Sequence, residues 1–389
     1  MMETTQAWIL PAGPTDRREH GSLHLGTVAL SEPGPEDALV EPVLVGWEGN
    51  CYHAVQRRPI DIARARGEQQ VVLGNSGVVR VLRPPLFQTN ETLREGDLCL
   101  VQANCRPDRF GYPVNGAAFG YDAPGTVGLL ARRTVIPGTC LVPLPTDTLY
   151  SAEQWAAFSI RYVTAWANWR IAYGTWRLQM TKEDQPVPFV WGWGGGTTFA
   201  ELTLAASQGA EATIITSHDE RMNLAKGQGL AAVDRRAFPD IAFGERDAAD
   251  PDQVARYRAS EAIFLSAVRD ATGGLGVSIF VDYLGGSLLR ATLKALARQG
   301  VVTTAGWREG LKTSLVRASE CIERHQHVHT HYARRFEVVD AMAFGERRGW
   351  MPPTGAIGEP WNYDDLPGLV DAYAEDQVVA YFPLVRVND

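Results

Sequence analysis

The sequence predicts an α/β protein, a doubly wound parallel sheet joined to a second, β-rich domain, and three observations carry the prediction. Short apolar runs alternate with helical stretches through the middle of the chain, as parallel strands joined by right-handed crossovers do. The first 150 residues hold short apolar runs separated by Gly- and Pro-rich turns, the pattern of a small β domain. Between these regions Pro186–Ser217 reads as one strand–turn–helix–strand unit. At 389 residues the chain exceeds one ordinary core. The expected division is residues 1–150 with 336–389 as one domain and 151–335 as the other.

Taken in order, Ala38–Val45, Gln70–Gly74 and Leu98–Ala103 are the clearest strands of the front domain. Helical sequence begins at Ser151, where Ser151 and Gln154 fit a capping box. Phe189–Trp193 is a buried strand; Gly194, Gly195 and Gly196 turn the chain into a helix that Gly209 ends; Ala212–Thr216 is the next strand. Further strands are expected at Leu230–Val233, Ser278–Tyr283, Gly300–Ala305 and His325–His331, with an amphipathic helix at Pro251–Ala271. The tail, Phe336–Asp389, carries a helix-like Asp364–Glu375 and a strand-like Val378–Val387 and is expected to return to the front domain.

Composition excludes several classes. Net charge is −8 with no basic block, which argues against nucleic acid as a partner. No apolar run is long enough for a bilayer span. MMETTQAWILPAG lacks a basic region followed by an apolar core, so no export signal is expected. The five cysteines (Cys51, Cys99, Cys105, Cys140 and Cys321) are odd in number and scattered, which suits free thiols in a reducing cytoplasm.

The glycine turn points to a nucleotide. A helix that starts just after a buried strand leaves main-chain amides aimed where a diphosphate can sit, so Gly192, Gly194, Gly195, Gly196, Thr197 and Thr198 are the candidate cradle. An acid at the end of the second strand would favour NAD; here that strand ends Thr216-Ser217-His218, and Arg221 follows, with the fork geometry that suits a ribose phosphate. Ser217 and Arg221 are therefore the expected 2′-phosphate positions, and NADPH the expected cofactor.

Four patches resemble the medium-chain dehydrogenase/reductase superfamily, in detail its crotonyl-CoA carboxylase/reductase branch. Phe189–Leu204 is close to the family's W-G-x-S-G-G-x-G turn; Thr164-Ala165-Trp166 stands where the family has T-A-Y; the insert Asp234–Gly276 closes on Asp270-Ala271-Thr272-Gly273-Gly274; and Thr330-His331-Tyr332-Ala333 resembles S-H-F-A. The resemblance implies a Rossmann-type dinucleotide domain beside a GroES-like domain, NADPH, and cofactor contacts that include Thr164 and Gly306. It implies a homo-oligomer. It departs at Thr198, which replaces the last turn glycine that lets the helix pack tightly on its strand.

The branch also implies a chemistry: hydride delivery to the double bond of a 2-enoyl thioester, with carbon dioxide trapped by the resulting enolate. By position, Asn50 matches the family's asparagine, Tyr121 and Asp122 its phenylalanine–glutamate pair, and His331 its histidine. An amide and an imidazole can donate to carboxylate oxygens, and a carboxylate can orient a water or the histidine. Asn50 and Asp122 are equally readable as turn residues. Two other functions fit the same sequence: a zinc-free quinone, enone or polyene reductase, including one that closes a ring, and a cofactor-free binding or scaffold protein.

Zinc catalysis is argued out. Where zinc members carry G-x-C-G-T-D-x-H and G-H-E, this chain has Gly46-Trp47-Glu48-Gly49-Asn50-Cys51-Tyr52-His53 and Gly74-Asn75-Ser76-Gly77, a poor ligand set. The alternation of His325, His327, His329 and His331 would put four imidazoles on one strand face, and such tracts can bind metal, but a strand end with solvated or hydrogen-bonded rings is the favoured reading. Tyr162, Trp166 and Trp169 share a helix face and are read as core ahead of an acyl-binding wall.

Overall fold

The computed structural model describes residues 3–14, 19–88, 92–104, 107–114, 117–244, 247–305 and 315–389. The chain forms two compact units, residues 1–163 with 333–389, and residues 164–332.

In the first unit β1 (Thr4–Pro11) pairs antiparallel with β2 (His24–Ala29) and with β4 (Gln70–Val72). The hub of a larger sheet is β3 (Asp37–Gly46), which pairs antiparallel with β5 (Gly77–Arg83), β7 (Thr134–Pro137) and β16 (Leu384–Arg386). β6 (Leu98–Val101) and β8 (Leu141–Pro143) extend the sheet beyond β5, and β15 (Trp361–Asn362) lies outside β16. Helix α1 (Gly49–Gln56) leaves β3 almost at once, and α2 (Ile62–Ala65) is a single turn capped by Asp61. Helix α3 (Ala152–Phe158) opens on the Ser151–Gln154 capping box and packs on β3 and β5. That packing is why the contact division falls at 163/164 while the compositional change falls at 151.

The tail supplies α9 (Arg335–Arg348), α10 (Thr354–Ile357) and α11 (Leu366–Ala374). Its strand is shorter than the Val378–Val387 read from sequence: Pro383 has no amide for the ladder, so pairing with β3 starts at Leu384. The α9 helix has no counterpart in the sequence reading. Gly345 near its end looks like a breaker, yet a Cβ there would lie 2.9 Å from the Phe158 ring, so the glycine serves close packing.

Helix α4 (Arg161–Arg177) carries the chain into the second unit. There β9 (Phe189–Trp193), β10 (Glu211–Thr216), β11 (Ala231–Asp234), β12 (Val277–Val281), β13 (Leu296–Thr303) and β14 (His327–His329) form one sheet in the order β11-β10-β9-β12-β13-β14, every pair parallel. This is the 3-2-1-4-5-6 winding of a Rossmann-type sheet, and strand order reverses between β9 and β12. The intervening helices are α5 (Gly196–Ser207), α6 (Asp219–Gly227), α7 (Pro251–Ala271), with the bounds the sequence predicts, and α8 (Leu289–Ala295). One face of the sheet buries Trp191, Trp193, Phe280 and Val302 against Phe238, Phe264 and Val268. The reversal is locked by a polar chain: Trp193 Nε1 donates to Thr292 Oγ1 at 2.8 Å, which donates to Asp282 Oδ2 at 2.7 Å, and Asp282 Oδ1 accepts from the Leu284 and Gly285 amides.

The last strand is shorter than predicted. His325 takes a left-handed conformation, φ 54°, which breaks the alternation before the strand begins, and His331 lies beyond its end. The four imidazoles therefore do not share one strand face. No helix among the described residues is long and apolar enough to cross a membrane.

Candidate functional site

The glycine turn stands at the carboxyl end of β9, beside the reversal of strand order, where open α/β sheets bind ligands. The Gly194 amide donates to Ile215 O at 2.7 Å, fastening the turn to β10, and a Cβ at Gly194 would meet that carbonyl at 2.8 Å. Gly195 caps α5 with φ 147°, a conformation only glycine holds comfortably, and nothing lies within 4 Å of where its Cβ would be. The helix runs on from Gly196 with Thr197 half-buried and Thr198 fully buried. Its first amides have no intrahelical acceptor and face this open space.

Thr198 does not block the turn. A Cβ on Gly192 would meet Thr198 Cγ2 at 2.5 Å and Val281 Cβ at 3.0 Å. The threonine methyl seats over Gly192 of β9, in the space a Cβ at that strand glycine would fill.

At the adenosine end, Ser217 follows β10 and Arg221 lies in the first turn of α6; both are half-buried. The sequence reading missed Arg236, whose guanidinium bonds both Asp234 at the end of β11 and Asp219 at the start of α6. Hydrogen bonding from Arg236 holds Asp234 below the usual carboxylate range. Arg236 thus pairs with an acid from each of β11 and α6, while Glu220 stands beside Arg221 in the first turn of α6. Thr164 and His331 are tied together in this unit: Asn168 Nδ2 donates to both main-chain carbonyls, and Asn168 Oδ1 accepts the His331 amide at 3.1 Å. Gly306 lies outside the described residues.

A buried acid under the turn helix also escaped the sequence reading. Glu201 of α5 is fully buried, accepts a hydrogen bond from the Tyr283 hydroxyl just past β12, and keeps Oε1 without a partner. Burial pushes its carboxyl up to about 8, against the lowering effect of the Tyr283 bond, so it is a neutral acid at pH 7. A lone Glu on an otherwise uncharged helix was the available signal.

Asn50, Tyr121 and Asp122 belong to the first unit and His331 to the second. Asn50 sits in the first turn of α1 with Oδ1 buried and unpartnered. Tyr121 is buried, and its carbonyl accepts from Arg66 at 3.2 Å. Asp122 Oδ1 accepts the Ala118 amide at 2.6 Å, so this carboxylate caps its own loop; burial raises its pKa above the ordinary aspartate value.

The residues standing where zinc relatives hold metal form an ion-pair network. Glu48 Oε2 pairs with Arg161 Nε at 2.7 Å, Glu48 Oε1 accepts from Ser76 Oγ at 2.7 Å, and Arg161 Nη2 donates to Trp47 O at 2.8 Å, all with buried side chains. Burial pushes the adjoining Cys51 thiol up to about 12, which removes it as a thiolate ligand or nucleophile. Among the described residues no three His, Cys, Asp or Glu side chains form a metal-binding group. His327 Nε2 lies 3.1 Å from Gln179 Oε1 and His325 Nε2 lies 3.3 Å from Arg298, separate partners for separate rings. Of the aromatic face, two members are core: Tyr162 is buried among Phe158, Trp350 and Phe382, and Trp169 stacks on Tyr173 while bonding Gln208; Trp166 is only half-buried, with Arg170 over its ring.

No protein-family model matches the chain, and no curated protein sequence matches it. Solved structures do. The crotonyl-CoA carboxylase/reductase AntE, in complex with NADP, superposes with a TM-score of 0.77 at 18% identity, covering 98% of this chain and 94% of AntE. The 2-octenoyl-CoA carboxylase reductase CinF of a Streptomyces species, in complex with NADP and 2-octenoyl-CoA, gives 0.78 at 18% identity over 99% of this chain and 88% of CinF. A thermostable alcohol dehydrogenase from Pyrobaculum aerophilum gives 0.71 at 16% identity over 99% of this chain and all of the other. The chain therefore has the fold of the medium-chain dehydrogenases and reductases, a Rossmann-type sheet with a GroES-like β-rich partner. Within that fold, structures like the carboxylase/reductases stand beside alcohol dehydrogenases.

Proposed function

We propose that this chain is an NADPH-dependent, zinc-independent reductase of the activated double bond in a 2-enoyl thioester, a member of the medium-chain dehydrogenase/reductase superfamily near its crotonyl-CoA carboxylase/reductase branch. The observation that carries the reading is the glycine turn: Gly195 at the β9–β12 reversal with open space where a Cβ would lie, and Thr198 seated over Gly192. The fold likeness to AntE and CinF, both crystallised with NADP, supports it.

The nucleotide, when bound, supplies the hydride. The amides of Gly195 through Thr198 hold its diphosphate at the helix N-terminus, while Ser217 and Arg221 receive a ribose 2′-phosphate. Asn50 presents an amide, and His331 an imidazole, each able to donate to the thioester carbonyl or to a carboxylate formed from carbon dioxide. Asp122 holds the Ala118–Asp122 loop beside Tyr121 and acts as a positioning residue. Glu48, which stands in sequence where zinc members carry a ligand cysteine, is paired with Arg161, and on this reading polarisation of the substrate falls to hydrogen-bond donors. We place the enzyme in the cytoplasm as a homo-oligomer.

NADPH oxidation with crotonyl-CoA, run with and without bicarbonate and with the products identified, tests the reading. Turnover giving butyryl-CoA in both conditions supports reduction alone, and ethylmalonyl-CoA in bicarbonate supports carboxylation. No turnover of any 2-enoyl thioester by protein that binds NADPH refutes the substrate assignment.

A further inference from the structure

The first unit holds a buried ion pair with open hydrogen-bonding capacity around it. Glu48 lies two residues past β3, Asn75 and Ser76 lie between β4 and β5, and Arg161 opens α4; all four belong to this unit. The three segments are bonded into one place. Ser76 Oγ donates to Glu48 Oε1 and Arg161 Nε to Glu48 Oε2, each at 2.7 Å, while Arg161 Nη2 donates to Trp47 O. The Cys51 thiol is hydrogen-bonded to the main chain at Glu48 and Gly74, which ties the start of α1 to the turn that carries Asn75.

These bonds leave several polar atoms over. Arg161 Nη1 and both ends of the Asn75 carboxamide, Nδ2 and Oδ1, are buried without a partner, in residues 6% and 1% exposed. Asn50 Oδ1, on the first turn of α1, is a further open acceptor. Buried polar groups in folded proteins are almost always paired, and leaving one unpaired is destabilising. Folds keep such a cost mainly where a ligand is to be met. Two N–H donors held out of water beside one ion pair therefore mark a site for an acceptor.

The charges decide which acceptor fits. Glu48 neutralises Arg161 through Nε, so the ion pair carries no net charge, and the amide oxygens of Asn75 and Asn50 are among its open neighbours. A carboxylate or phosphate placed there would bring an uncompensated charge out of water. A neutral carbonyl would not, and a guanidinium and an amide are donors whose bonds strengthen as charge grows on the oxygen they hold. We propose that Arg161 Nη1 and Asn75 Nδ2 form the oxyanion hole for the thioester carbonyl of the substrate. The inference rests on the 2-enoyl thioester reading above. When hydride enters the β-carbon, the electron pair of the double bond moves to give an enolate and the carbonyl oxygen takes the negative charge; the enolate then takes a solvent proton at its α-carbon. Arg161 and Asn75 are catalytic residues on this assignment, and Glu48 and Ser76 are positioning residues that fix one edge of the guanidinium. Asn75 stands in sequence where zinc members carry a ligand histidine, so a hydrogen-bond donor takes up the polarising task at that position.

Acetoacetyl-CoA tests the hole without turnover. Its 1,3-dicarbonyl unit forms an enolate with an ultraviolet band that the neutral thioester lacks, and an oxyanion hole draws that enolate out. Mixed with wild type and NADP at neutral pH, it should show the band. Asn75→Leu fills the same volume with no donor, and Arg161→Lys keeps a cation opposite Glu48 but loses Nη1; each should show the band at least about tenfold more weakly. With crotonyl-CoA, kcat of Asn75→Leu should fall by about a hundredfold while KM stays within about threefold. The same variant should melt no lower than wild type, because it removes a buried amide that bonds nothing. A clearly lower melting temperature makes Asn75 a structural residue and overturns the proposal, as does a wild-type enolate band in both variants or a wild-type kcat in Asn75→Leu. A wild type that enolises acetoacetyl-CoA, by a band lost in both variants, yet reduces no 2-enoyl thioester upholds the hole and overturns the reductase reading alone.

Discussion

Gly192→Ala tests how the chain accommodates Thr198. The added methyl would lie 2.5 Å from Thr198 Cγ2 and 3.0 Å from both Val281 Cβ and Val281 O. Carbon atoms sit comfortably at 3.5–4.0 Å, so α5 must retreat by about 1 Å at its first turn. Overpacking of this kind costs about 1–3 kcal/mol. The displaced turn carries the amides proposed to hold the diphosphate, so NADPH affinity should fall by at least about tenfold, equivalent to about 1.4 kcal/mol. The control is Thr198→Gly in the same chain. It removes the 2.5 Å contact and leaves only the 3.0 Å ones, which a shift of a few tenths of an ångström relieves. Thr198→Gly alone costs under about 1 kcal/mol of helix propensity. The double variant should bind NADPH nearly as well as Thr198→Gly alone, a coupling on the order of 1–2 kcal/mol. Calorimetric titration of the four proteins, with their melting temperatures, gives the cycle. Wild-type affinity in Gly192→Ala, or losses that simply add, would refute the packing argument.

Other variants probe the rest of the account. Arg161→Met leaves the buried Glu48 carboxylate with only Ser76, and breaking a buried pair costs about 3–5 kcal/mol; the double variant with Glu48→Gln should lose clearly less than the two single losses combined, by denaturant unfolding. Glu201 has its folded pKa raised to about 8 from an ordinary 4.5, so the unfolded chain gives up this proton first as pH rises. Stability is therefore highest below about 4.5, falls between 4.5 and 8, and is level above that for this group, a change on the order of a few kcal/mol. Glu201→Gln should remove that slope, and an unaltered pH dependence of melting in the variant would contradict the burial argument. Asp122→Ala, which loses the bond to the Ala118 amide, should destabilise by about 1 kcal/mol, while Asp122→Asn keeps the bond and the stability. Elemental analysis of purified protein should find no stoichiometric zinc, and a chelator should leave NADPH oxidation unchanged.

The parts of this fold that were legible in sequence are those fixed by local chemistry. Phe189–Trp193 is apolar on both faces and is followed by three glycines, so strand, turn and helix can be read with no knowledge of their neighbours. The Ser151 cap and the Asp250–Pro251 start of α7 are likewise written in a few adjacent residues. What escaped depends on contacts distant in sequence. β13 starts four residues earlier than Gly300 because Leu296 pairs with Val277 across a register shift. Gly345 is a packing contact with Phe158. Arg161, at the start of an aromatic helix, gives no hint that it neutralises Glu48, more than a hundred positions earlier. The catalytic candidates were taken from family positions; of these, Asp122 is visibly engaged in a loop cap, and Asn50 has a buried oxygen still to be satisfied.

Equilibrium titration of the purified chain with NADPH and, in parallel, NADH, followed through quenching of tryptophan fluorescence, tests the central claim most directly. The account predicts saturable binding of one NADPH per chain and much weaker binding of NADH, because Arg221 and Ser217 are the positions proposed to receive the ribose 2′-phosphate. Absence of binding by either nucleotide at millimolar concentration would contradict it.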